Sequence, residues 1–228
     1  MENLLAYTPL LLQGALVTIG LAILSLVLAT GLGTLGAVGR VSGGAVSHAL
    51  VLAYTSLVRG VPDLVLILLI YFGGQRLINQ IGGLFGWDYI DLSQFWAGVL
   101  AIGFIYGAYL TETFRGAYNT VPRGQMEAGR ALGLAPRVIV RRIIVPQLIV
   151  FALPGYANVW QVLVKSTAVV SVIGLGDLVG LANDAGKSVR EPFLFFAFAL
   201  FVYLAITFVS TQVFDWVERK SRIPGRAV

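Results

Sequence analysis

Residues 3–39 read NLLAYTPLLLQGALVTIGLAILSLVLATGLGTLGAVG, a stretch between Glu2 and Arg40 that carries no formal charge. About 20 apolar residues suffice for a helix to cross the hydrocarbon core of a bilayer, and this run exceeds that length. Further uncharged runs occupy 92–111, 143–164 and 192–214, and an apolar stretch from Ala45 to Phe72 is interrupted by Arg59, Pro62 and Asp63. The pattern predicts five transmembrane helices, near 10–38, 46–72, 95–117, 146–165 and 193–216. Segment 168–185 is apolar and glycine-rich but short, and reads as a half-buried excursion. The first run reads as a permanent span and not a secretory leader, because its flank lacks positive charge and the run is too long.

Composition supports this reading. Apolar residues make up 57% of the 228 and charged residues only 12%, about half the usual charged fraction. So few charges cannot build a water-facing surface, so lipid must cover much of the exterior. Cysteine is absent and His48 is the single histidine, which excludes disulfides and leaves no expected metal site. The net charge of +5 could indicate nucleic acid, but its placement argues otherwise. With the N-terminus outside, eleven Lys and Arg fall on inner segments, Arg222 and Arg226 among them, and three (Arg76, Lys187, Arg190) on outer ones. That asymmetry is the positive-inside pattern. It predicts a cytoplasmic C-terminus and explains the charge without a nucleic-acid partner. No linker, low-complexity tract or repeat divides the chain, so 1–228 reads as a single domain.

Several patterns are set aside. Gly31-Leu-Gly33-Thr-Leu-Gly36 fits a dinucleotide fingerprint, but no strand precedes it and Asp63 lies too far on. Gly180 to Gly186-Lys187-Ser188 resembles a phosphate loop with one residue too many between its glycines. Ala29, Gly33 and Ala37 form a stripe of small residues at helical spacing, suited to close helix contact within the chain or with another subunit. No nucleophile–base pair is visible, which disfavours an enzyme.

Residues 119–147 read NTVPRGQMEAGRALGLAPRVIVRRIIVPQ. Thr120 can cap a short helix with Pro122 in its first turn. Gly133 suits a left-handed residue that ends it, and Pro136 can begin the next helix. The outcome is a helix, a sharp elbow and a second helix that enters the membrane at Pro146. Taken alone, this could be a basic surface loop.

Its spacing resembles the EAA loop of binding-protein-dependent ABC importers. Glu127-Ala128-Gly129, then Gly133, then Ile143 and Pro146 follow that pattern, departing only by Gly129 where the family has a second alanine. Arg59-Gly-Val-Pro62, Glu112-Thr-Phe-Arg115-Gly116, Pro122-Arg-Gly124-Gln125 and Lys165-Ser166-Thr167 through Ser171, Ile173 and Gly174 are similar to polar amino-acid permeases. The whole looks closest to the Q-type subunits of histidine and lysine/arginine/ornithine importers, with opine permeases as near relatives. The resemblance implies the all-α transmembrane domain of a type I ABC importer, with five spans and a cytoplasmic coupling helix. It implies an inner-membrane permease subunit for polar, basic amino acids, served by a periplasmic binding protein and a second permease, paralogue or copy. It also implies a pair of ABC ATPase subunits that carry ATP and Mg, with no cofactor on this chain. Glu127, Ala128, Gly129, Gly133, Ile143 and Pro146 would form the ATPase-coupling loop.

Charges inside spans are costly, about 2.5–3.5 kcal/mol for a central cation, and usually face a cavity or a partner. Arg59 and Asp63, four apart around Gly60 and Pro62, are either a structural ion pair or cavity-lining groups. Lys165 either snorkels to the outer interface or, with Ser166 and Thr167, binds an α-carboxylate. Glu112 can pair with Arg115, and Asp177 can cap a short helix. A cationic substrate wants a carboxylate, and Asp63, Glu112 and Asp177 are the candidates. A channel or carrier that works without an ATPase is the alternative from a different class; it would have no need of the 119–147 loop.

Overall fold

Among residues 2–221, which the computed structural model describes, the chain is all helical with no strand. The order is α1 (Glu2–Ser42), α2 (Ala45–Gly60), α3 (Asp63–Leu84), α4 (Gln94–Thr120), α5 (Arg123–Ala131), α6 (Pro136–Ile139), α7 (Val145–Ser166), α8 (Leu178–Ser188) and α9 (Pro192–Ser221). A π-turn at Val140–Ile144 fuses α6 to α7, and a 3₁₀ segment, Thr167–Ile173, continues from α7. Five segments are long and apolar enough to cross a membrane: Asn3–Ser42, Asp63–Leu84, Gln94–Thr120, Pro136–Ile173 and Pro192–Ser221. Arg222 and Arg226 lie outside the described residues.

The second expected span, 46–72, is corrected: it is two helices that break at Val61-Pro62. A residue before proline is pushed out of the helical region, and Val61 is extended at φ −111° and ψ 139°. Asp63, the first residue of α3, hydrogen-bonds Tyr106 near the middle of α4. The break therefore lies about halfway through the bundle. The other spans are longer than expected at both ends, because hydropathy marks the lipid-facing stretch and not the helix. Segment 168–185 does form the short excursion read from the sequence, a 3₁₀ turn followed by α8.

The core is the parallel pair α1 and α4, whose contacts run in step from Leu21 beside Gly98 to Gly36 beside Thr111. Glycines let the two backbones approach closely. A Cβ on Gly33 would lie 2.6 Å from Leu110 Cβ, and one on Gly103 would lie 2.6 Å from Leu28 Cδ2. Ala29 is fully buried in the same seam, so the small-residue stripe packs within the chain. Around this seam α3, α7 and the 3₁₀ segment complete the main apolar cluster, and α8 and α9 form a second with the first half of α1. Large apolar side chains on the outer faces, such as Leu16, Leu69 and Phe201, remain exposed, as a lipid-facing surface requires. The link after α3 is held by side chains: Gln75 and Asn79 bond the backbone of Ile90 and Leu92.

Candidate functional site

The candidate residues gather at two places, the elbow and the helix break. At the elbow, α5 ends in a complete Schellman motif. Gly133 sits at φ +71°, its N–H donates to the Arg130 carbonyl at 2.9 Å, and the Leu134 N–H donates to the Gly129 carbonyl at 3.1 Å. Left-handed backbone at this point favours glycine. Pro136 then opens α6 at its first position. The expected cap at Thr120 is corrected: α4 runs through it and its hydroxyl bonds back to the Gly116 carbonyl. The cap of α5 is Pro122, whose missing N–H costs nothing there.

One face of α5 is tied down and the other is free. Gly129 is buried against Ile139 and Ile143, and a Cβ there would lie 3.1 Å from Ile139 Cγ1 and 3.2 Å from Ile143 Cδ1. The departure from the EAA pattern is thus explained locally: glycine makes room for two isoleucines that an alanine would crowd. Ile143 lies in the π-turn, and Pro146 sits in the first turn of α7, inside a continuous helix and not at its start. Gln147 of α7 reaches Gln125 of α5 at 3.0 Å, a link that sequence reasoning missed. Its signal was a glutamine at the base of an apolar span. Glu127 and Ala128 lie on the exposed side, while α5 is tied to α7 through Gln125 and Gln147.

At the helix break three elements meet. Tyr106 of α4 donates to Asp63 Oδ2 at 3.0 Å, and Ser166 at the end of α7 donates to the same oxygen at 3.3 Å. The two hydroxyls are also within bonding reach of each other, so two protons are shared among three contacts. Tyr106 stacks on Tyr109, centroids 5.5 Å apart, and the Arg59 guanidinium lies 5.5 Å over the Tyr109 ring. Arg59 and Tyr109 open into a cleft of about 380 Å³ that continues to Thr55, Ser56, Arg40 and Glu112. Glu112 holds Arg115 at 2.7 Å and faces Arg40 at 3.9 Å, and Arg40 donates to His48 at 2.9 Å. The polar groups form a strip along α4, from Asp63 beside Tyr106 to Glu112.

The geometry separates the alternatives that the sequence left open in this region. Arg59 and Asp63 form no ion pair: the break turns Asp63 toward Tyr106 and Arg59 toward Tyr109. Thr167 does not join Ser166 in a single polar turn, since successive helical residues point about 100° apart. It is fully buried, donates to the Val164 carbonyl and meets the Tyr203 hydroxyl at 3.2 Å. Asp177 is away from the strip. It caps α8 by accepting from the Gly180 N–H at 2.9 Å and is buried against α1. Lys165 is exposed beside Ser166, and its ammonium group makes no hydrogen bond or ion pair among the described residues. Tyr106 and Tyr109 were missed because tyrosines in an apolar helix read as core; their three-residue spacing was the available signal. Arg40 was read as a flanking charge, yet it is drawn into the cleft.

The helical fold recurs in known proteins. Residues 29–223 match the family described as the binding-protein-dependent transport system inner membrane component. The chain belongs to that family. It is a multi-pass inner-membrane permease subunit, not an enzyme, and ATP hydrolysis belongs to a separate subunit of such systems. Among similar proteins is the histidine/lysine/arginine/ornithine transport system permease protein HisQ of Escherichia coli, 47% identical over 95% of each chain. The octopine transport system permease protein OccQ of Rhizobium radiobacter is 41% identical over 92% of this chain and 90% of its own. A chain from the crystal structure of an amino acid ABC transporter with histidines superposes with a TM-score of 0.81 at 30% identity, covering 96% of this permease and 97% of that chain. A chain of the inward-facing MetNI methionine ABC transporter shares the fold at a TM-score of 0.72 and 20% identity, covering 96% and 99%.

Proposed function

We propose that this permease passes polar, cationic amino acids such as histidine, arginine, lysine or ornithine across the inner membrane. The observation that carries the reading is the polar strip at the broken helix. A carboxylate at each end, Asp63 and Glu112, is separated by six residues of α4 from Tyr106 on, about 9 Å along the axis. Binding sites of transporters commonly sit at discontinuous helices near mid-membrane. Asp63 would take the α-ammonium group, and Lys165, exposed at the end of α7, would meet the α-carboxylate. Glu112 would take the side-chain cation farther along the strip. Arg59, held over a ring and not by a carboxylate, offers a second contact for the α-carboxylate within the cleft. The name of the HisQ relative supports the same substrate class.

The N-terminus is outside and the elbow faces the cytoplasm in this reading, as the charge asymmetry supports. A pair of ATPase subunits, which bind Mg and ATP, docks on the free face of α5 around Glu127 and Ala128. Gly133 keeps α5 and α6 at a fixed angle, and the Gln125–Gln147 bond passes the displacement of α5 to α7, whose far end carries Ser166 and Lys165. A periplasmic binding protein delivers substrate from the other side, and a second permease, paralogue or copy, completes the pathway. An opine substrate is the second reading, favoured by the likeness to OccQ. Competition for labelled arginine uptake in membranes with all subunits separates the two. Displacement by histidine, lysine and ornithine supports the first reading, and displacement by octopine alone overturns it.

A further inference from the structure

Between α1, α4 and the α6–α7 segment runs an apolar groove of about 580 Å³, walled by Val38 and Val41, Phe114, and Val140, Ile144 and Ile149. Its far end is closed by the Thr30–Tyr156 hydroxyl contact at 3.0 Å. From Val41 to Thr30 the groove follows α1 for eleven residues, about 16 Å. One leaflet of a core about 30 Å thick is about 15 Å deep, so the groove spans one leaflet and stops near the middle. Its apolar walls and its length fit an extended hydrocarbon chain.

Its open end is basic. Arg137 and Arg141 stand one turn before Val140 and Val145 of the groove wall, and both are exposed. Among the described residues neither enters an ion pair, whereas Arg40 and Arg115 are occupied by Glu112. Arg141 itself lies in the π-turn Val140–Ile144, which forms part of the groove wall. Such a defect strains the helical ladder and is kept mostly where it shapes a site. Basic residues at the membrane end of an inter-helix pocket match an anionic headgroup.

We propose that this groove holds an acyl chain of an anionic phospholipid from the leaflet at the basic end, with Arg137 and Arg141 meeting its phosphate. The lipid packs against the root of the elbow, so it is placed to stiffen the α6–α7 joint. The inference does not depend on which amino acid is carried. The test uses the complete transporter with its partner subunits in phosphatidylcholine nanodiscs, with a phosphatidylglycerol probe bearing a diazirine near the chain end. Labelling should concentrate on peptides that contain residues 34–42 and 140–153. Unlabelled phosphatidylglycerol should compete, and phosphatidylcholine should not. Arg137→Gln with Arg141→Gln should raise the competing concentration about 30-fold, since each basic residue near an anionic headgroup contributes about a factor of five. Ile149→Trp, which fills the groove from its exposed side, should remove the label while assembly by size exclusion is retained. Labelling spread evenly over all spans, equal competition by phosphatidylcholine, or cross-links from these residues to another subunit would overturn the proposal. The wild-type competition decides the matter even if a variant fails to assemble.

Discussion

Replacing Gly133 with valine isolates the elbow's backbone from its packing. A Cβ at this position meets nothing within 4 Å, so no side chain has to move. The cost is conformational. A left-handed residue with a side chain costs about 1–2 kcal/mol, and a β-branched one is a genuine outlier there. If the chain relaxes instead, the hydrogen bonds to the Arg130 and Gly129 carbonyls are lost, each worth about 0.5–1.5 kcal/mol. Either route takes about 1–3 kcal/mol from the native elbow, which lowers its population against competing geometries by about 5- to 150-fold. The assay is initial uptake of labelled arginine in membranes matched for permease and ATPase content. Uptake should fall about fivefold or more with insertion unchanged. Gly133→Asn, which tolerates the left-handed region, should keep most of it. Wild-type uptake by the valine variant, or an asparagine variant as damaged as the valine one, would refute the reasoning.

Asp63→Asn should keep the contacts with Tyr106 and Ser166 but lose the charge. Maximal uptake should drop by about 10- to 150-fold, the worth of one charge-assisted bond, and an unchanged rate would remove Asp63 from the pathway. Lys165→Met keeps the stem and deletes the ammonium group; reduced uptake with intact subunit assembly is expected, and wild-type rates would assign Lys165 to the interface. Reporter fusions after Arg130 should report cytoplasm and those near Asp88 and Lys187 the outer side. A cytoplasmic signal at Lys187 would break the five-span topology.

What the sequence disclosed follows from how local each cause is. Gly133 and Pro136 act on their own backbone, so the elbow was legible to the residue. Pro62 was equally visible, yet hydropathy averages over a window and joined 46–72 into one helix. The break was read as a local interruption, and its depth only emerges once Asp63 is opposite Tyr106. The pairing of Glu112 with Arg115 was readable because it lies within one helix turn. Its contact with Arg40 was not, because Arg40 arrives from another helix, as do Ser166 at Asp63 and Tyr109 under Arg59. Asp177 shows the converse: its capping role was readable in the glycines around it, while its distance from the strip was a matter of tertiary packing. Gly129 looked like a flaw in the coupling pattern until Ile139 and Ile143 were seen to occupy the space of a methyl group.

The central claim is that this chain is a substrate pathway driven through α5 by an ATPase docked on its free face. The most direct measurement is ATP-dependent accumulation of labelled arginine in proteoliposomes containing the permease, its partner subunits and the binding protein, compared with the Glu127→Lys variant. The account predicts accumulation that needs both ATP and the binding protein, and its loss in the variant. Binding of arginine by the permease in the membrane should persist in that variant, because Glu127 lies on the exposed side of α5 and does not line the cleft. Accumulation without ATPase, or undiminished accumulation with Glu127→Lys, would contradict it.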